Sequence, residues 1–286
     1  MFFPNRVQFL STYHRQLFAL PDPIMEYIAK NPQFAEHYQK MIKSCKYFFI
    51  KNPILVIHDL RYNSGNGWEM RSPISGGWKK VDMKKLSCKL WITDYLRVNA
   101  TTSDKNVLLS IIPKIDKCQA ERLDIFKQEI VYEELDILGK FAKYVWFEDS
   151  VVKYQNGKNV ELEKIVQIFP EAIEIVFPFD SIISAKTVKE LLKLPNFSKL
   201  DAFRIFNIPE DFDIESFFAY IKTNKQTIIR LEFAETISEA YKARLNAVFD
   251  EIVETEGYDY KLPWIYYPGI DVEKEEFLFA RFLDFQ

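Results

Sequence analysis

Cysteine, histidine and glycine are all scarce in this chain, and each scarcity removes a class of function. Three cysteines in 286 residues, Cys45, Cys88 and Cys118, are too few and too far apart for a disulfide framework or a CxxC zinc site. They read as reduced, mostly buried thiols of a cytosolic or nuclear protein. Cys45 falls on an apolar helical stripe, where a cysteine packs rather than attacks. The three histidines, His14, His37 and His58, have no cysteine or carboxylate at ligand spacing and read as structural. Eight glycines leave no Gly-rich phosphate loop, and there is no G-x-S-x-G, Walker or G-x-G-x-x-G pattern. Gly65-Asn66-Gly67 is not followed by a helix and makes a poor phosphate cradle. No apolar run reaches the roughly 18 residues of a membrane span. The start, Met1-Phe2-Phe3-Pro4-Asn5-Arg6, lacks the pattern of a signal peptide. Neither charge sign dominates: 38 Lys and Arg face 41 Asp and Glu. That balance gives no reason to expect nucleic acid or an anionic membrane as partner. No metal site and no cofactor are expected.

What the chain has in quantity is apolar and aromatic surface. It is 48% hydrophobic with 25 phenylalanines, which excludes disorder and promises a large core. The acidic pairs Glu133-Glu134, Glu148-Asp149, Asp250-Glu251 and Glu275-Glu276 fit solvated helix faces and loop ends better than a catalytic dyad.

Two stretches near the N-terminus organise the rest. Leu20-Pro21-Asp22-Pro23-Ile24-Met25-Glu26-Tyr27-Ile28 reads as a helix start, with the prolines where their missing N–H groups do least harm and Asp22 as cap. Leu20, Ile24 and Ile28 share one face. In a second helix, Met41, Ile42, Cys45, Phe48 and Phe49 form a stripe opposite Lys40, Lys43 and Lys46. Two helices this short cannot bury both faces against each other, so further cover is needed. A mixed segment, 1–16, precedes them, with Val7, Phe9, Leu10 and Tyr13 suggesting a short helix. Lys51-Asn52-Pro53 ends the module at about residue 58, through the short strand Ile54–Ile57.

Residues 59–85 form a turn-rich connector. Tyr62-Asn63-Ser64-Gly65-Asn66-Gly67-Trp68 and Ser75-Gly76-Gly77-Trp78 predict a hairpin that closes one end of the domain. From 86 to 286, short strands alternate with helices. The strands are Lys89–Ile92, Arg122–Phe126, Tyr144–Phe147, Ile173–Phe177, Leu200–Ile205 and Ile229–Phe233. Leu123, Val145, Ile173, Leu200 and Leu231 mark corresponding steps. Helices are expected over 104–112, 133–141, 161–169, 187–192 and 215–221. A long helix from Ser238 to about Glu254, with Ala240, Tyr241, Leu245, Val248, Phe249 and Ile252 inward, begins a cap. An aromatic fold-back over 258–268 and a last helix over 273–285 complete it. One strand and one helix every 20–30 residues is the pattern of an irregular leucine-rich-repeat-like solenoid, without the Asn/Cys ladder. An ordinary α/β domain with a parallel sheet is the alternative.

Leu20-Pro21, Ile24, Ile28 and Ser44-Cys45-Lys46-Tyr47-Phe48 together resemble an F-box, over residues 17 to 58. The whole chain is similar to the large nematode F-box families, in particular the F-box C branch. The similarity extends to Asp213-Ile214-Glu215-Ser216-Phe217-Phe218-Ala219-Tyr220 and Tyr260-Lys261-Leu262-Pro263. The resemblance implies an α/β protein: a three-helix F-box, then a leucine-rich-repeat-like solenoid with a helical cap. It also implies a non-catalytic, substrate-recognition subunit of an SCF-type ubiquitin ligase. Leu20, Pro21, Ile24, Met25, Ile28, Met41, Cys45, Phe48 and Phe49 would dock on a Skp-type adaptor, and through it on a cullin. The repeat region would hold an unidentified protein target, to which Asp124, Glu174, Asp201, Arg204, Arg230 and Glu232 could point. A scaffold whose box packs within the chain is the rival reading, and an enzyme of unknown class is the third.

Overall fold

The structure is a computed structural model that describes residues 6–71, 76–178, 181–255 and 257–283. Its first part is helical: α1 (Arg6–Ser11), α2 (Asp22–Lys30), α3 (Ala35–Ser44) and α4 (Lys46–Lys51). Of the expected N-terminal segment, residues 1–5 lie outside the described residues. Pro21 is the N-cap of α2, not Asp22, which is its first helical residue and sits at the positive end of the helix. Glu26 and Lys30 pair one turn apart at 2.7 Å.

The expected single helix over 41–49 is two. Backbone NH of Cys45 and the Ser44 hydroxyl both donate to the Met41 carbonyl and close α3. Cys45 itself is extended, and α4 starts afresh at Lys46. The break lets Phe48 fold back onto Met25 and Ala29 of α2, and these three form a small core of their own with Phe18, Met41 and Cys45 around it. Tyr38 of α3 is fully buried against Ile54, Val56 and Trp91, and its hydroxyl donates to the Asn52 carbonyl. Lys117 reaches the Pro32 carbonyl at 2.7 Å. The helical part is therefore seated on the sheet that follows.

That sheet begins with β1 (Ile54–Asn63), turns through Gly67 at φ +74° into β2 (Gly67–Arg71), and continues with β3 (Trp78–Lys80). These three are antiparallel, so the predicted hairpin is the edge of the sheet. Ser75 of that prediction lies outside the described residues. Trp68 is buried, while Trp78 lies 3.8 Å from the Arg61 guanidinium.

The remaining elements are β4 (Lys89–Asn99), α5 (Val107–Ile111), β5 (Ile115–Cys118), β6 (Arg122–Phe126), β7 (Glu129–Val131), α6 (Tyr132–Gly139), β8 (Tyr144–Glu148), β9 (Val151–Lys153), α7 (Leu162–Gln167), β10 (Glu174–Pro178), α8 (Thr187–Leu191), β11 (Ala202–Ile208), α9 (Ile214–Thr223), β12 (Ile228–Phe233), α10 (Glu239–Glu254), β13 (Trp264–Tyr266) and α11 (Val272–Leu283). Strands β1, β4, β6, β8, β10, β11, β12 and β13 lie side by side in that order, each parallel to the next. The result is a mixed α/β protein with one large, mostly parallel, open sheet. Its parallel strands keep chain order across the sheet, whereas a doubly wound sheet reverses it.

One face of the sheet carries the core. Leu123, Ile125, Val145, Phe147, Ile175, Phe177, Phe203, Ile205, Ile229, Leu231 and Ile265 pack there against the buried sides of α6 to α10. Register aligns Leu123, Val145, Ile175, Phe203 and Ile229. Ile173, Leu200 and Leu231 of the expected series are thus out of step. Ile173 and Leu200 precede their strands, and the Ile173 carbonyl accepts from Asp201 and Ala202. Buried polar groups tie neighbouring loops and strands of the sheet together. Gln128 bonds to Leu108 and Asp104, Ser150 to Ile125, Asn196 to Phe169, and Thr227 to Leu200. Among the described residues, Lys127, Asp149 and Asn207 are the non-glycine residues with left-handed backbone, and each sits one step past an aligned strand position.

The C-terminal elements come in the expected order: a long helix, an aromatic fold-back and a last helix. Ser238 caps α10, accepting from the Tyr241 amide. Ala240, expected inward, is exposed, because Tyr241 takes the buried position and donates to the Phe212 carbonyl at 2.6 Å. The fold-back over 258–268 adds β13 as an eighth parallel strand. Trp264 packs on Phe279 and Phe282 of α11, which covers the edge of the sheet. Phe285, read with that last helix, lies outside the described residues.

Candidate functional site

Two surfaces stand out, and the first is the sheet face that α6 to α10 leave open. In a strand, alternate residues point to opposite faces, so the residues between the core positions line up here. β8 states the rule most plainly: Tyr144, Trp146 and Glu148 are exposed while Val145 and Phe147 are buried. Register brings Arg61, Arg97, Asp124, Trp146, Val176, Arg204, Arg230 and Trp264 into one row across eight strands. A neighbouring row runs through Asp59, Tyr95, Arg122, Tyr144 and Glu174.

The charges on this face are interlocked. Asp124 is buried, and accepts from the Tyr95 hydroxyl at 2.5 Å and from Arg122 Nε at 3.0 Å. Burial, with the Asp124 carboxylate behind it, pushes the Tyr95 phenol up to about 12. Asp59, also buried, pairs with Arg71, and Arg61 bonds Glu69 at 2.9 Å. Arg230 donates to Glu232 and lies between the Trp264 and Phe206 rings, 3.9 and 5.0 Å from their centres. Arg204 faces Glu174 at 3.4 Å. Between β6 and β12 the face dips into a groove of about 530 Å³. Guanidinium forks, carboxylates and half-exposed rings are groups of recognition. Asp201 ends outside the groove, exposed just ahead of β11, while the other five charged strand residues named from sequence are on the face.

Sequence reasoning found no carboxylate near a histidine. Asp59 follows His58 in the chain, and the fold adds Asp94 of β4 at the register shift between Ile57 and Asp59: His58 Nδ1 lies 3.0 Å from Asp59 and 3.2 Å from Asp94. The three ligand atoms fall within 4.8 Å of each other, but Arg71 already neutralises Asp59. Burial pushes the Asp94 carboxyl up; His58 opposes that and Asp59 adds to it.

No family model, curated protein or solved structure matches the chain.

The second surface is on α2. Leu20 and Ile24 are 48% and 46% exposed, with Tyr27 at 68% and Leu17 at 95%. Pro21 is exposed beside them. Of the other residues expected to dock, Met25 and Phe48 do not reach this surface, because they form the interior of the helical part. Ile28, Met41 and Cys45 are half-buried around that interior, and half-buried Phe49 packs on the main core. The docking stripe read from sequence thus divides into an outer edge (Leu20, Pro21, Ile24) and an inner one that holds the helices together.

Proposed function

We propose that the chain is the substrate-recognition subunit of an SCF-type ubiquitin ligase, an F-box protein with a leucine-rich-repeat-like receptor region. The observation that carries the reading is the apolar edge of Leu20, Ile24 and Tyr27 left open on α2. A scaffold whose box packed within the chain would bury it. In this reading α2, α3 and α4 are the F-box, and the edge docks on a Skp-type adaptor and so on a cullin. The chain-order parallel sheet, with α6 to α10 on one face and a left-handed residue one step past aligned positions of β6, β8 and β11, supports the solenoid. The open face then holds the protein target. Such a subunit catalyses nothing. It raises the concentration of the target at a ubiquitin-charged enzyme held elsewhere in the assembly.

The test is co-purification with the adaptor. Leu20→Asp and Ile24→Asp change half-exposed residues, so together they should cost folding less than about 1 kcal/mol. Wild type is expected to carry the adaptor through two columns and the double variant to lose it, with the thermal midpoint unchanged. Failure of folded wild type to retain the adaptor refutes the reading.

A further inference from the structure

We propose that the groove between β6 and β12 reads an extended segment of a protein, with one carboxylate seated between Arg204 and Arg230 and an apolar side chain about four residues away against Trp146. This rests on the receptor reading above and says which chemistry the target must bring.

Three observations carry it. Arg204 and Arg230 stand directly opposite each other on adjacent parallel strands. Like charges directly opposite each other are destabilising, an arrangement an anion between them would relieve. Their own carboxylates lie to the sides: Glu174 at 3.4 Å from Arg204, and Glu232 on Arg230. Next, Arg204 Nε is buried in the groove wall and has no hydrogen-bond partner. A buried donor without an acceptor is costly, and a carboxylate that draws the Arg204 guanidinium outward into the groove would give it one. Finally, Trp146 is 40% exposed two strands from Arg204 in the same row, with Val176 between them. Charged and apolar anchors are therefore spaced for one segment. From β6 to β12 the groove crosses four strand spacings, about 19 Å, which roughly six extended residues span.

Charge also decides against a nucleic acid. Asp124, Glu148 and Glu174 line the same groove, and would repel a phosphate chain while leaving a single carboxylate its place at the Arg204 end.

The experiment pans a phage-displayed library of random twelve-residue peptides against the full-length chain. Retained peptides are expected to be enriched in Asp or Glu about four residues from Trp, Phe or Leu. A retained acidic peptide should bind at least about tenfold more weakly to Arg204→Gln, and more weakly to Arg204→Lys and Trp146→Ala. Its Glu-to-Gln counterpart should lose binding to wild type by a similar factor. No acidic enrichment, or equal binding by folded Arg204→Gln and Arg204→Lys, overturns the inference. So does displacement of the peptide by equimolar inorganic phosphate or oligothymidylate, or retention only through self-association of the chain. Adaptor co-purification is measured on the same variants. If it persists while acidic selectivity is absent, the groove inference fails alone; if it is lost in wild type while selectivity holds, the ligase reading fails alone.

Discussion

Replacing Phe217 by alanine is expected to destabilise the protein by about 4 kcal/mol. Phe217 is fully buried on α9 and meets the rings of Phe197, Phe203, Phe212 and Tyr220, with centres 5.1 to 6.4 Å away. The loss combines transfer of the ring with a cavity that four rigid neighbours fill poorly. At roughly 2–4 °C per kcal/mol, the thermal midpoint should fall by about 8–16 °C. Phe206→Ala is the control. Phe206 lies on the open face of β11, half-exposed, and its loss should cost less than about 1 kcal/mol. Equal losses at the two positions would mean that the sheet does not have one covered and one open face.

The second large effect belongs to Asp124→Ala. The buried carboxylate is the acceptor for both Tyr95 and Arg122, so its removal strands two donors at once. Breaking a buried pair costs about 3–5 kcal/mol, but the Arg122 side chain is half-exposed and can rehydrate. A loss of about 3 kcal/mol is therefore expected. Asp124→Asn keeps an acceptor and should lose less. The same variants report on pH. With its phenol held at about 12, Tyr95 stays protonated in the folded chain where an unfolded tyrosine, near 10, already ionises. Between those values the unfolded chain binds fewer protons, so stability contributed by Tyr95 is complete below about pH 10 and falls as pH rises toward 12. Tyr38, also held at about 12 by burial, acts in the same direction. Chemical denaturation at pH 8 and pH 11 should show a smaller alkaline loss in Asp124→Ala than in wild type. A larger one contradicts the assignment.

Much of the architecture is legible in the residues. Apolar positions at helical spacing give α6, α7, α9 and α10 within a few residues of their bounds, and the short apolar runs give β6, β8 and β12. β1 and β4 are more than twice as long as expected, because His58, Asp59 and Arg61, and Asp94, Tyr95 and Arg97, interrupt their apolar runs. Asp59, Arg61, Tyr95 and Arg97 follow the two-residue alternation of a half-covered strand, and the register shift between Ile57 and Asp59 brings in His58 and Asp94. β13 is hidden between Pro263 and Pro268, and the break at Cys45 has no glycine or proline to announce it. For the open face, the charged strand residues are visible in sequence, while Tyr95, Trp146 and Phe206 look like core. The alternation in Tyr144-Val145-Trp146-Phe147-Glu148 is the signal that separates them. The division of the α2 stripe into docking and packing edges depends on where Phe48 folds, and local spacing does not encode that.

Hydrogen exchange with and without the Skp-type adaptor tests the central claim most directly. Saturating adaptor should slow exchange at least about tenfold across residues 20–31, at the exposed edge of α2, and leave β6 to β12 unchanged. Protection on the open sheet face instead, or none on α2, contradicts the account.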